Sequence, residues 1–218
     1  MPEDQLIKAV ATAAAELSSN ERELSTWWQL AEALDELGEK KAAASAYSDL
    51  GRAASDLGLV ALALAAVIRI RELGDKRAAG SLVDQIGATH CLGSKRVDDE
   101  QRLRPPKPPT LAPPDELPLA EGAKAAKSAA LAAIKSALRA ARARAPKVLA
   151  PTPLVRYLQT SDLQTLISVM TIKTYKRSDV VVDLGDSADS LYWIARGAAE
   201  VSRSGKLLGE LRAESFFG

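Results

Sequence analysis

The sequence predicts a two-part chain, in which an all-α array of helical hairpins is followed by short antiparallel strands with a helical lead-in. Three observations predict this multidomain fold class. Glycines end a series of amphipathic helical patterns in residues 1–90. A proline-rich and then alanine-rich stretch, residues 91–150, has the composition of a linker. In residues 151–218, short helical patterns precede β-branched runs cut by Gly, Asp and Ser turn signals, which is typical of an antiparallel barrel or sandwich.

Composition excludes several classes of protein. Hydrophobic residues make up 47% of the 218 residues and charged residues 26%, as in ordinary soluble proteins, and the formal net charge is only +1. Cys91 is the single cysteine, which excludes an internal disulfide framework and fits a reducing compartment. The first residues are acidic where a secretory signal would be basic, and no apolar run approaches the ~20 residues that span a bilayer. We therefore expect a cytoplasmic protein without a membrane span.

Five amphipathic helices are expected in residues 1–90, because apolar residues recur there at helical spacing between Ser, Asn and Gly breaks. Asn20 is the predicted cap of the second helix, followed by glutamates that suit the positive end of the helix dipole. Later helices end at Gly38, Gly58 and Gly74, which are 20 and 16 residues apart. This spacing is about half of a 34-residue repeat.

The glycine spacing and the order of bulky and small residues resemble the tetratricopeptide family. Two frames follow the family pattern, namely Tyr47-x2-Leu50-Gly51-x2-Ala54-x3-Gly58-x4-Ala63-x3-Val67 and Trp27-x2-Leu30-x7-Gly38-x4-Ala43-x3-Tyr47. The resemblance implies paired helices with a groove for a protein partner. Residues 1–90 carry 14 acids and nine bases, so a basic partner segment would suit that groove. We expect one of Trp27 and Trp28 in the core and the other partly exposed, with a role in ligand binding as the alternative.

Residues 91–150 are predicted to be a connection of two kinds. Seven prolines between positions 105 and 118 favour an extended spacer, with a ligand for SH3-like domains as the alternative. An alanine-rich helix follows, and residues 121–147 contain seven bases and one acid. We interpret it as a solvated helical or disordered linker that could dock on the acidic helices, and we expect proteases to cut there first. A helix that binds nucleic acid or an anionic surface is the alternative.

The last third of the chain is predicted to begin with helices over residues 151–170, whose apolar side chains would pack beneath a sheet. Short strands should follow at Val180–Val182, Leu191–Ile194, around Val201, at Leu207–Leu211 and at Phe216–Phe217. Turn signals at Gly185-Asp186, Gly197 and Ser204-Gly205 separate them.

This order of elements is similar to the front half of the cyclic-nucleotide-binding domain, a jelly roll of bacterial transcription activators and kinase regulatory subunits. The matching positions are Gly185-Asp186, Leu191-Tyr192-x-Ile194-x-x-Gly197-x-x-x-Val201, Leu208-x-x-Leu211 and Phe217-Gly218. Ser178 and Glu214 stand where the family has glycines. The resemblance implies a truncated jelly roll in which Val201 and Leu208 line the nucleotide pocket and Gly218 begins the phosphate-binding cassette. For Val201 and Leu208, packing in a core is the alternative role.

The family's cassette glutamate and arginine would lie beyond Gly218, so no residue of this chain matches them. We therefore expect the 218-residue chain to bind neither cyclic AMP nor cyclic GMP appreciably, and a chain with the rest of the barrel to bind. An uncompensated phosphate in an apolar half-pocket would lose its water without gaining a partner.

Enzyme chemistry is not expected, because the sequence contains no glycine-rich phosphate loop, nucleophile elbow or metal-ligand cluster. The adjacent His90 and Cys91 are interpreted as incidental. We expect a regulatory protein that binds a protein partner through residues 1–90 and, in the complete protein, senses cyclic AMP or cyclic GMP. The alternative is a structural adaptor whose barrel binds no nucleotide. Nucleic acid is not an expected partner, and the sequence leaves the oligomeric state open.

Overall fold

The computed structural model describes residues 2–101, 119–187 and 189–218. Within them the protein is mostly helical, with seven helices and two small two-stranded sheets. The helices are α1 (Glu3–Ser19), α2 (Leu24–Glu36), α3 (Lys40–Asp56), α4 (Val60–Glu72), α5 (Lys76–His90), α6 (Ala123–Arg144) and α7 (Thr160–Val169); the strands are β1 (Tyr192–Trp193), β2 (Ala198–Arg203), β3 (Lys206–Arg212) and β4 (Phe216–Phe217). None of the described helices is both long and apolar enough to cross a membrane.

Helices α1 to α5, which we call the helical domain, form an array in which each helix packs against the next. The five helices predicted from apolar spacing are confirmed, and the predicted glycine stops, Gly38, Gly58 and Gly74, each lie just after a helix end with positive φ. The core contains the bulky side chains Trp27, Tyr47, Leu30, Leu34, Leu50, Leu64 and Ile70, all fully buried. Trp28 is also buried, at 3% exposure, so the expectation of one partly exposed tryptophan is wrong.

The start of α2 differs from the prediction. Residues 20–23 form a turn, and α2 begins at Leu24 with Glu23 as its cap instead of Asn20. The Glu23 carboxylate accepts a hydrogen bond from the Ser25 amide at 3.0 Å. A glutamate can therefore serve the role that the sequence pattern assigns to the shorter asparagine side chain.

Helix α6 is docked on the helical domain, as the sequence allowed, and is not a solvated or disordered linker. It packs along α1 and against α3, and its buried face consists of Ala126, Ala130, Ala133, Ile134, Ala137 and Ala141. Alanines let two helix backbones approach closely, so an alanine stripe can be an apolar face as well as a helix-forming composition. Lys127 pairs with Glu39 of the loop before α3 at 2.6 Å. The prolines between 105 and 118 lie outside the described residues.

The lead-in to the strands packs differently from the prediction. Leu163 and Ile167 of α7 are buried, and α7 contacts α5 of the helical domain instead of lying beneath a sheet. The connection before α6 is also fixed to the helical domain, because Arg96 pairs with Asp56 of α3 at 2.7 Å, and Arg96 also donates to the carbonyl of Pro146 after α6 at 2.9 Å. Residues 151–170 therefore extend the helical core.

The strands form two sheets and no closed barrel among the described residues. β1 pairs with β4 through Tyr192 and Phe217, and β2 pairs with β3 in an antiparallel hairpin. The strand predicted at Val180–Val182 is absent; this stretch has no regular secondary structure and no partner strand. Because a strand needs a neighbour for its backbone hydrogen bonds, a β-branched run alone is not enough to form one.

Candidate functional site

The strand segment, residues 192–217, lies against the helical domain at the starts of α2 and α4. Trp193 and Ala195 are partly buried against the common hydrophobic core. Two side chains of this segment, Arg196 and Glu214, make the polar contacts with the helices. We treat this interface as the candidate functional site, because it joins the two parts of the chain.

Arg196 stacks on Trp28 of α2. The guanidinium carbon lies 4.9 Å from the centre of the Trp28 ring, and Nη1 approaches the Ser25 carbonyl at 3.5 Å. Cations are attracted to the face of an indole ring, and the attraction is stronger when water is excluded. Burial lowers the pKa of Arg196, and the charge of Glu32 opposes this effect. The half-buried guanidinium therefore lies against an aromatic ring, in the field of an acidic side chain.

Trp28 belongs to a larger aromatic and charged group. Its ring meets Tyr47 of α3 edge to face, with centroids 5.0 Å apart. Arg69 of α4 lies over the other ring of this pair, 6.0 Å from the Tyr47 centroid, and pairs with Glu72 at 3.0 Å. Burial raises the pKa of Tyr47 to about 12, although Arg69 opposes the shift. These side chains of α2, α3 and α4, together with the first turn of α4, form what we call the α2–α4 face, in which aromatic rings lie beside cations and acids.

Glu214 reaches the first turn of α4. Both of its carboxylate oxygens lie near the Ala61 amide, which donates to them at 3.0 and 3.2 Å. Burial raises the pKa of Glu214 to about 8, while the amides of Ala61, Leu62 and Val60 act in the opposite direction because they stabilise the carboxylate. Glu214 has a φ of 71°, a backbone conformation that glycine adopts more readily.

The residues predicted from the sequence occupy other places. Val201 lies on β2 opposite Gly209 and is 40% exposed, and Leu208 on β3 is 60% exposed. Leu208 has no paired residue of its own, because the register shifts between Val201 and Ser202. Gly218 follows the other sheet. A side chain there would collide with the backbone of Ser190, so the close approach requires glycine.

The apolar side chains of this region are largely exposed. Those above 40% exposure include Val180, Val182, Leu184, Leu191, Leu207, Leu208 and Phe216. The predicted role of Val201 and Leu208 as pocket walls remains a prediction, and their exposure does not correspond to the alternative of core packing.

His90 and Cys91 are both buried in the helical domain. His90 Nε2 lies 2.9 Å from the Ser55 carbonyl oxygen, and burial lowers the pKa of His90 to about 4. Burial also raises the pKa of the Cys91 thiol. These features describe a neutral core histidine and an unreactive thiol. In the described parts of the chain, no group of three His, Cys, Asp or Glu side chains is arranged to hold a metal ion.

No sequence pattern indicates a role for Arg196, and Glu214 differs from the resembled family only as a replacement for glycine. The available signal at Glu214 was an acidic residue at a turn position where a glycine is expected. Its partner, the Ala61 amide, is 153 residues away in the chain, so no local pattern connects the two. Comparisons with protein-family models, curated proteins and solved structures found no match.

Proposed function

We propose that this chain is a regulatory protein in which the strand segment belongs to a cyclic-nucleotide sensor and the helical domain binds a protein partner. The observation that carries the proposal is the direct contact between the two parts at Arg196 and Glu214. A sensor can regulate a second site only if the two sites are energetically coupled, and a shared interface provides that coupling.

The pairing of the strands supports a sensor of the cyclic-nucleotide-binding type. The outer pair, β1 with β4, encloses the β2–β3 hairpin in sequence, and both pairs are antiparallel. Nested antiparallel pairs of this kind are how jelly rolls are built. Gly218 follows β4 of the outer pair, at the position where the resembled family begins its phosphate-binding cassette, and its backbone lies closely against Ser190.

The helical domain supports the second half of the proposal. Arrays of paired helices offer extended surfaces to protein segments. The α2–α4 face contains Trp28, on which Arg196 stacks, and the first-turn amides of α4, of which Ala61 donates to Glu214; these groups therefore suit a cation and a carboxylate. A peptide with side chains of both kinds would match the face.

A structural adaptor is the second candidate function. The exposure of Val201 and Leu208 favours it, because a nucleotide pocket needs walls on more than one side. In that case the exposed apolar side chains of the strand segment would serve for assembly with another protein chain, and no nucleotide would bind.

The test is calorimetry with cyclic AMP and cyclic GMP. It compares the 218-residue chain with a chimera in which the cassette and remaining strands of a cyclic-nucleotide-binding domain follow Gly218. The sensor proposal predicts binding by the chimera and none by the 218-residue chain. In the chimera, Gly218→Ala should abolish binding, because a β-carbon at this position collides with Ser190.

Gly209→Ala is the matched control, since a β-carbon on Gly209 meets no atom within 4 Å. This variant of the chimera should bind as well as the parent. A folded chimera that binds neither nucleotide would contradict the sensor proposal and favour the adaptor.

A further inference from the structure

Helix α4 begins without a cap of its own. The residue before it is Leu59, whose side chain accepts no hydrogen bond, whereas α5 follows Asp75, whose carboxylate accepts from the Ala78 amide at 2.9 Å. The first amides of a helix have no partner within the helix and need a hydrogen-bond acceptor from elsewhere. Glu214 fills this role for α4. The strand segment therefore supplies the cap that the local sequence of α4 lacks.

The Glu214 contact is specific. The Glu214 side chain is half-buried between the strand segment and α4, and the groups that face its carboxylate are the backbone amides of Val60, Ala61 and Leu62. Its positive φ costs conformational energy for a residue with a β-carbon, and such strain persists only when the surrounding structure holds it. The closed arrangement thus depends on this side chain reaching the α4 amides.

The strand segment is nevertheless held by few polar contacts. Among the described residues, its hydrogen bonds to the helical domain come from Glu214 and from Arg196, the latter at 3.5 Å. The strand hydrogen bonds are internal, since β1 pairs with β4 and β2 with β3. The segment can leave the helices without breaking a sheet.

We propose that Glu214 is the latch of an autoinhibitory contact, in which the strand segment covers the α2–α4 face and excludes a protein partner from it. In the closed state Arg196 covers Trp28 and Glu214 covers the start of α4. In the open state the same face receives a partner segment that presents a cation to Trp28 and a carboxylate to α4. This inference rests on the proposed partner-binding role of the helical domain and is independent of nucleotide binding.

Hydrogen exchange measured by NMR tests the latch directly. In Glu214→Lys, which places a cation at the positive end of α4, the Ala61 amide should exchange at least tenfold faster than in the wild type. The indole N–H of Trp28 should also exchange faster. The Trp27 indole, which is fully buried, and the Ala78 amide, which has its own cap, should not change.

Glu210→Lys is the matched control, because it makes the same charge change on an exposed position of β3. It should leave Ala61 exchange unchanged. If the Ala78 amide also loses protection in Glu214→Lys, the fold itself is damaged. Glu214→Gln then tests the latch, because this variant keeps the size of the side chain. Its exchange rate should rise by a smaller factor, and only at Ala61. An unchanged Ala61 rate in both Glu214 variants would overturn the proposal.

Competition for the face is tested with a synthetic peptide of residues 190–218. In the wild type, the tethered segment occupies the face at a high effective concentration and should exclude the peptide. The Glu214→Lys chain should bind the peptide at least tenfold more tightly, with renewed protection of the Ala61 amide. Equal affinity for the two chains would show that the strand segment does not compete for this face, which would also overturn the proposal. Neither result depends on whether the chimera binds a cyclic nucleotide.

Discussion

Glu214 and His90 show how single residues acquire properties that their local sequence does not predict. His90 is buried and Glu214 is half-buried, and the loss of water around each favours its neutral form, which raises the pKa of Glu214 to about 8 and lowers that of His90 to about 4. Their partners, the Ala61 amide and the Ser55 carbonyl, come from distant parts of the chain. The sequence indicated that His90 was incidental, but the close contacts of these two side chains depend on the packing of helices.

His90 predicts a specific loss of stability in acid. Its folded-state pKa of about 4 lies below the ordinary value of 6.5, so the folded protein binds fewer protons than the unfolded chain between these values. Its contribution is therefore fully present above pH 6.5 and is lost as the pH falls toward 4, by up to about 3 kcal/mol. Urea unfolding at pH 7 and pH 4.5 should show this loss.

His90→Gln is the variant that isolates the effect. Its amide nitrogen can take the place of Nε2 and donate to the Ser55 carbonyl, but it does not titrate. The free energy of unfolding of this variant should fall less between pH 7 and pH 4.5 than that of the wild type. An identical fall in both proteins would show that His90 is not the group responsible.

Two glycines within helices should respond to alanine in opposite directions. At Gly51 of α3 a β-carbon would collide with Leu82 of α5 and lie 3.1 Å from Ala66 Cβ, so Gly51→Ala should destabilise the protein by about 1–3 kcal/mol. At Gly80 of α5 a β-carbon meets no atom within 4 Å, so Gly80→Ala should stabilise it by roughly 0.5–1 kcal/mol. Thermal unfolding of the two variants measures both effects. Destabilisation of equal size at both positions would contradict the close packing of α3 on α5.

At the scale of elements, the sequence predicted where the helices lie better than it predicted which elements they pack against. Apolar spacing and glycine stops located α1 to α5 because these signals are local. For α6 the sequence favoured a solvated linker and left docking open, because the buried face consists mostly of alanines, which a pattern of bulky apolar residues at helical spacing does not detect. The strand predicted at 180–182 was wrong because strand formation depends on a partner, which no local pattern supplies.

The docking of α6 can be tested with a pair of substitutions on adjacent residues. Ala133 is 2% exposed against the helical domain, whereas Ala132 faces solvent. Ala133→Glu would bury an unpaired charge and should release α6, so that trypsin cuts between Lys124 and Arg144 much faster than in the wild type. Ala132→Glu should leave the rate unchanged. Rapid cleavage of the wild type itself at these sites would show that α6 is the solvated linker that the composition suggested.

At the scale of the whole molecule, residues far apart in the chain form one continuous core. Buried side chains of α1 to α5, α6 and α7 belong to the same hydrophobic cluster, and Trp193 of the strand segment packs against it. The sequence predicted a helical part and a strand part, but it could not predict their contact. That contact depends on Arg196 meeting Trp28 and Glu214 meeting Ala61, pairs separated by more than 150 residues.

The central proposal is that ligand binding to the strand segment changes the helical domain through this contact. The most direct measurement is the exchange rate of the Ala61 amide in the chimera, with and without saturating cyclic AMP. Because Glu214 lies between the sheet and α4, nucleotide binding should change this rate at least threefold while the Ala78 amide stays constant. Binding of cyclic AMP with an unchanged Ala61 rate would contradict the claim.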